Sequence, residues 1–455
     1  MTGVKGVSST QQSWTNPVCD MTGRTRAGLL LADSYATRGL VRWLYTSNPF
    51  YVISAGLVLF GLNASFSSGG KPFESGMLLV GLIGYELVLA TTAWGLIRFG
   101  KVWDDVRTLL LLVVLLFLII SANFDYTLVV RPQLGQLYYL AGWFIAIAIS
   151  EGLLRGIGLN LPALFRGPYH LILGLFFLYP VFLGWLSKRP DSAELQWALF
   201  AFPTVAGLLF LTLLPAIRLG PAYVAKNGSP WRWPLYPWVL FGLLAAGALV
   251  RSYWVCLSFH FVPKASNIFG PYFLVPLLLA LVVLLVEIGR SVGHTVVVRL
   301  AMAAPLGMVA IALAGHRADP VYLGFLKQFT STLGGTPAYL TLICLVVFYA
   351  LSAFRKIPLA FEGLALAVAG LTFIGPMTFR VSDFTAARPW PLAAAALVVL
   401  IHARAARPSA LWVGCMRTHR FGLDFAARSA LIAVEDRTHR PPGDRDGPRA
   451  RNPHG

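Results

Sequence analysis

Residues 76–99 read GMLLVGLIGYELVLATTAWGLIRF, an apolar run with one carboxylate, Glu86, near its middle. As an α-helix rising about 1.5 Å per residue, a run of this length is longer than the roughly 30 Å hydrocarbon core of a bilayer. A charge at that depth is expensive, on the order of 3 kcal/mol even on the most lenient insertion scales. The stretch therefore predicts a transmembrane helix among others, with Glu86 turned away from lipid and sheltered by the neighbouring spans.

The rest of the composition agrees. The chain of 455 residues is 57% hydrophobic and 12% charged, with a mean hydropathy of +0.68, whereas soluble domains are roughly 45–50% apolar and about 25% charged. Apolar runs near twenty residues long fall at 49–66, 76–98, 108–124, 136–156, 168–187, 195–217, 236–260, 269–289, 296–314, 337–354, 358–377 and 388–403. Those at 296–314 and 388–403 are the weakest, being short and alanine-rich. The predicted fold is all-α, a polytopic transmembrane helix bundle of ten to twelve spans over residues 41–403. The flanks, 1–40 and 404–455, are rich in small, polar and charged residues and read as disordered tails. The first long apolar run begins only near Pro49, so it reads as a retained helix, not a cleaved signal peptide.

Just before that run stands VRWLYTSNPFY, Val41 to Tyr51. Trp43, Tyr45 and Tyr51 suit a membrane interface, and Ser47-Asn48-Pro49 has the form of a helix start with proline just inside. This short opening resembles that of uncharacterised bacterial multi-pass membrane proteins. The resemblance implies the membrane class and no activity.

The formal net charge is +18. It is dispersed over short loops and the two tails, and no basic, aromatic-interleaved domain of the kind that binds nucleic acid occurs. Anionic lipid headgroups at the basic tails are the expected partner. Assigning loops to alternate faces places 27 of the 37 basic residues on the side of the termini, but the loops alone divide 12 to 10. The tails thus carry the bias, which predicts a cell-membrane protein with both termini in the cytoplasm. Cys19, Cys256, Cys344 and Cys415 are scattered and imply neither a disulfide framework nor a zinc site.

Two segments look interfacial. SPWRWPLYPW, Ser229 to Trp238, interleaves aromatics with prolines and reads as a headgroup-level anchor. Val321 to Phe329 is amphipathic and is expected to lie in the interface, to re-enter, or to be an ordered loop. Residues 410–434 could form a surface helix, and the prolines at 180, 203, 215, 276, 305 and 376 are expected to kink spans.

The candidate functional residues are the intramembrane charges. Glu86 and Arg251 lie within apolar sequence and could couple ions or protons, contact a polar substrate, or pin helices as a pair. Glu151 and Arg155, four residues apart, can pair on one helix face. Glu287 with Arg290 lies near a span end, where both can snorkel, and Glu362 sits early in its span. Asp104 and Asp105 could hold a divalent metal and a phosphate, or lie at a helix start as a cap. Gly289-Arg290-Ser291-Val292-Gly293 matches the GxSxG pattern but lacks the strand expected before it. No catalytic residue, metal site or cofactor is assigned. The leading expectation is a transporter or permease acting on a small molecule, with Glu86 as coupling carboxylate and Arg251 as its counter-charge. A membrane-embedded enzyme for a lipid-linked substrate, using Asp104 and Asp105, and a non-catalytic sensor or scaffold are the alternatives.

Overall fold

A computed structural model describes residues 49–66, 72–188, 192–259, 268–314, 319–377, 391 and 393–398. The two tails, and most of the span expected at 388–403, lie outside the described residues. Among those residues every regular element is helical. The helices are α1 (Pro49–Phe66), α2 (Pro72–Gly95), α3 (Trp103–Asn123), α4 (Asp125–Val130), α5 (Pro132–Ile157), α6 (Ala163–Leu186) and α7 (Ser192–Leu211). They continue with α8 (Leu214–Leu219), α9 (Leu235–Ser258), α10 (Val275–Val292), α11 (Thr295–Leu313), α12 (Pro320–Leu333), α13 (Pro337–Phe354) and α14 (Ala360–Phe373). Nine helices among the described residues are long and apolar enough to cross a membrane, and Ala360–Phe373 is a shorter apolar one. The 18-residue α1 occupies the first predicted span. The protein is a multi-pass membrane protein of all-α fold.

The described residues fall into two compact units, those up to Leu161 with Lys226–Leu244, and those of Pro162–Ala225 with those from Ala245 on. In the first, α2 packs against α1, α3 and α5, and α4 folds back on α5. The pattern of α2 shows why. Leu78, Leu79, Leu82, Glu86, Leu89, Ala90 and Ala93 are buried and recur at helical spacing, whereas Val80, Leu87 and Val88 on the other side are exposed. One stripe thus faces protein and the other is left for lipid. The aromatic anchor also belongs to this unit. Trp231 meets Trp103 edge-on, the Tyr236 hydroxyl donates to the carbonyl of Asn160, and the Asn227 carbonyl accepts from the Asn160 N–H. Gly228 takes a positive φ of 77° directly over the Gly158 carbonyl, where a Cβ would come within 2.2 Å. Only glycine fits there.

In the second unit α10 is the central helix, packed on α7, α8 and α11, and α11 in turn meets α13 and α14. Amphipathic α12 buries Tyr322, Phe325, Leu326 and Phe329. Phe329 stacks on Trp197 of α7 and meets Phe200 and Tyr272 edge-on. The amphipathic segment Val321 to Phe329 is therefore helical, not a loop, and lies on a bed of rings. Tyr179, Phe182, Trp185, Glu194, Trp197 and Gln328 border an open groove of about 700 Å³ beside it.

The prolines divide into two groups. Pro180, Pro203 and Pro305 are inside helices. Pro215 and Pro276 instead occupy first turns, and Pro376 follows the end of α14. A first-turn proline removes an N–H that has no intrahelical partner anyway, so these residues start helices, Pro215 doing so just past a break within the span Ala193–Leu219.

The turn from α4 into α5 brings backbones unusually close, since a Cβ on Gly135 would sit 2.2 Å from the Leu128 Cα. Gly84 on α2 has nothing within 4 Å of the same position. Gly135→Ala is expected to cost about 1–3 kcal/mol through overpacking and to lower the thermal unfolding midpoint in detergent by a few degrees. Gly84→Ala is expected to leave it unchanged or slightly raised.

Candidate functional site

Three buried carboxylates in the described spans are treated in three ways. Asp125 opens α4 at 2% exposure. It accepts from the Tyr139 hydroxyl at 2.6 Å, and that hydroxyl also lies 2.9 Å from the Ser121 carbonyl. The apolar runs at 108–124 and 136–156 left Asp125 between two predicted spans. It is instead built into the α3–α4–α5 packing, because α4 carries the chain one and a half turns further before Pro132 restarts it.

Glu287, near the end of α10, is at the centre of an ion cluster in the second unit. Arg355, the residue after α13, bonds its Oε1. Arg218 of α8 lies 4.0 Å from the same oxygen, and Arg290 lies 3.9 Å from Oε2. The sequence linked Glu287 to Arg290 only. Arg218 and Arg355 share with Arg290 a place at the end of a span assigned to the same membrane face, and that was the available signal.

Glu86 differs from both. It is 0% exposed in the middle of the buried stripe of α2, and among the described residues neither of its oxygens has a hydrogen-bond partner. The hydroxyls further along the same helix, on its exposed side, are provided for by their own backbone: Thr91 and Thr92 donate to the carbonyls of Leu87 and Val88 at 2.7–3.0 Å. A carboxylate has no donor of its own when ionised and cannot use such carbonyls. Buried in this way it must either be a neutral acid or meet a cation, since a bare charge out of water is prohibitively costly.

The remaining sequence-predicted residues are placed as follows. Arg251, on the part of α9 belonging to the second unit, is 3% exposed beside buried Ser252. Glu86 belongs to the first unit. Glu151 and Arg155 form an i,i+4 ion pair of 3.5 Å on α5, with Arg155 open to the surroundings. Glu362 is in the first turn of α14, as the sequence indicated. Asp105 is half-buried in the first turn of α3, whose cap is Val102, so it favours the positive end of the helix without capping it. The Asp104 side chain lies outside the described residues. Among the described residues no three His, Cys, Asp or Glu side chains come together as metal ligands. The GxSxG pattern falls on a helix end and turn. Ser291 donates to the Ile288 carbonyl, and Gly293 ends α10 at φ 77°.

No protein-family model, curated protein or solved structure matches the chain. The functional reading therefore rests on these residues alone.

Replacing Glu287 by Gln would leave three guanidiniums without their shared counter-charge. The expected cost is on the order of 1–3 kcal/mol, below that of breaking a fully buried pair because the arginines are about half exposed. Thermal unfolding of Glu287→Gln should show a lowered midpoint at low ionic strength that partly recovers in salt, as repulsion among the arginines is screened. A midpoint equal to the parent's at low salt would show that the cluster contributes nothing to stability.

Proposed function

We propose that the protein is a membrane transporter for a small solute, and that Glu86 is the carboxylate that couples movement to a proton or cation. The observation that carries this reading is the burial of Glu86 at mid-span with no hydrogen-bond partner among the described residues. A carboxylate kept for packing alone is bonded, as Asp125 is to Tyr139 and Glu287 to Arg355. One that is buried and unbonded gains nothing for the fold, and intramembrane acids of this kind mark ion and proton pathways. The arrangement is suited to a carboxyl that exchanges its proton, or a cation, as the helices around it shift, since each form is tolerable only while its charge is balanced.

Interior prolines at 180, 203 and 305 support the same reading. Each removes an intrahelical hydrogen bond and leaves a carbonyl that must find another donor, which gives a bundle local points of bending.

The test uses the full chain in liposomes containing a pH-sensitive dye, with a potassium diffusion potential imposed and a panel of small solutes added outside. Solute-dependent proton or cation movement is expected for the parent chain. Glu86→Gln is expected to reduce it by about a hundredfold or more, the usual scale for losing a group used in proton transfer, at an unchanged unfolding midpoint. A folded Glu86→Gln protein that moves solute and charge as the parent does would overturn the assignment.

A further inference from the structure

The cluster around Glu287 holds more positive charge than folding requires. Three guanidiniums from three separate helices converge on one carboxylate, and among the described residues no other acidic group lies within ion-pair distance of them. Each guanidinium carries five N–H donors while a carboxylate offers about four acceptor sites, so most of the donors are left over. Only Arg355 makes a hydrogen bond to Glu287. Arg218 and Arg290 are held at ion-pair distance, and among the described residues their side chains make no hydrogen bond.

Helix ends do not account for the excess. Arginines in a last turn commonly satisfy terminal carbonyls, but here backbone N–H groups already serve several of them. The carbonyls of Arg290 and Gly289 accept from Gly293 and His294, those of Ala353 and Ser352 from Lys356 and Ile357, and that of Ile217 from Gly220. The side chains are 44–56% exposed, whereas Glu287 beneath them is 10% exposed. The buried carboxylate anchors the arginines, and their free edges open outward. All three stand at or just past the end of a span, Ala193–Leu219, Pro271–Val292 and Pro337–Phe354, at the depth where hydrocarbon gives way to lipid headgroups.

From this geometry we infer that Arg218, Arg290 and Arg355 form a phosphate-binding site, filled by the headgroup of an anionic phospholipid. Guanidinium forks match phosphate oxygens in bidentate geometry and gain from charge assistance. A phosphodiester with a net negative charge offsets the local excess, while a zwitterionic headgroup brings its own cation and does so less well. The site belongs wholly to the second unit and is independent of the role assigned to Glu86.

The experiment follows thermal unfolding of the delipidated full chain in neutral detergent during titration with dioleoylphosphatidylglycerol, dioleoylphosphatidylcholine or inorganic phosphate. The test variant is Arg218→Gln with Arg290→Gln, which keeps the Arg355–Glu287 bond. The control is Arg98→Gln with Lys101→Gln, two exposed basic residues of the first unit. Phosphatidylglycerol is expected to raise the midpoint saturably in the parent and the control, phosphatidylcholine is not, and the test variant should need roughly tenfold more lipid, about 1.4 kcal/mol of lost contact. Protection of the parent by inorganic phosphate alone, lost in the test variant, would support the site with a soluble phosphate compound as its source. If the double variant does not fold, Arg290→Gln alone replaces it in the same titration, since Arg290 makes no hydrogen bond to Glu287. Equal protection of parent and variant, or none by either phosphate-bearing probe, would overturn the site.

Discussion

Hydrocarbon does not solvate charge, and the buried carboxylates of the described spans are placed in answer to that fact. An ionised carboxylate inside a bilayer can be matched with a donor, gathered with cations at the end of its helix, or kept from lipid by neighbouring helices. Asp125, Glu287 and Glu86 take these three courses in turn. The first two are explained by the bonds they make. The third makes no such bond among the described residues, and the function proposed above starts from that difference.

The same constraint organises the helices. Because lipid and leucine are equally apolar, spans associate through close packing and polar contacts, with little hydrophobic drive. The buried stripe of α2 is continuous from Leu78 to Ala93 with Glu86 at its centre, while Val80, Leu87 and Val88 remain on the outer side. Close backbone approaches occur where glycine permits them, as at Gly135 against Leu128. In the second unit aromatic rings take that part, with α12 seated on Trp197, Phe200 and Tyr272. A Tyr349 hydroxyl that donates to the Met302 carbonyl ties α13 to α11.

Much of this was legible in the residue pattern, and the limits of legibility are physical. A long apolar run declares a span whatever its surroundings, so the helices and the inward turn of Glu86 could be read from spacing alone. The amphipathic character of Val321 to Phe329 was legible too, but it left an interfacial segment, a re-entrant piece and an ordered loop open, and neither the helix nor the rings under it followed from it. Three things were not legible. Proline was read as a kink at every apolar position, yet at 215 and 276 a helix begins there, and local sequence distinguishes a start from an interior poorly when no polar cap is present. The meeting of Arg218 and Arg355 over Glu287 brings together residues 137 positions apart, a tertiary fact that no local period encodes. Asp125 was misplaced for a related reason, since the α3 span continues into α4 past a charge that conventionally marks its end.

The central claim is that α2 turns Glu86 toward protein and the residues beside it toward lipid. Spin labels at single cysteines across residues 80–93, in a chain whose four native cysteines are serine, would report it through collisions with oxygen, which concentrates in hydrocarbon. Collision rates are expected to follow the helical period, with minima at 82, 86, 89 and 93 and maxima at 80, 84, 87 and 91. A maximum at 86 would place the carboxylate against lipid and contradict the account.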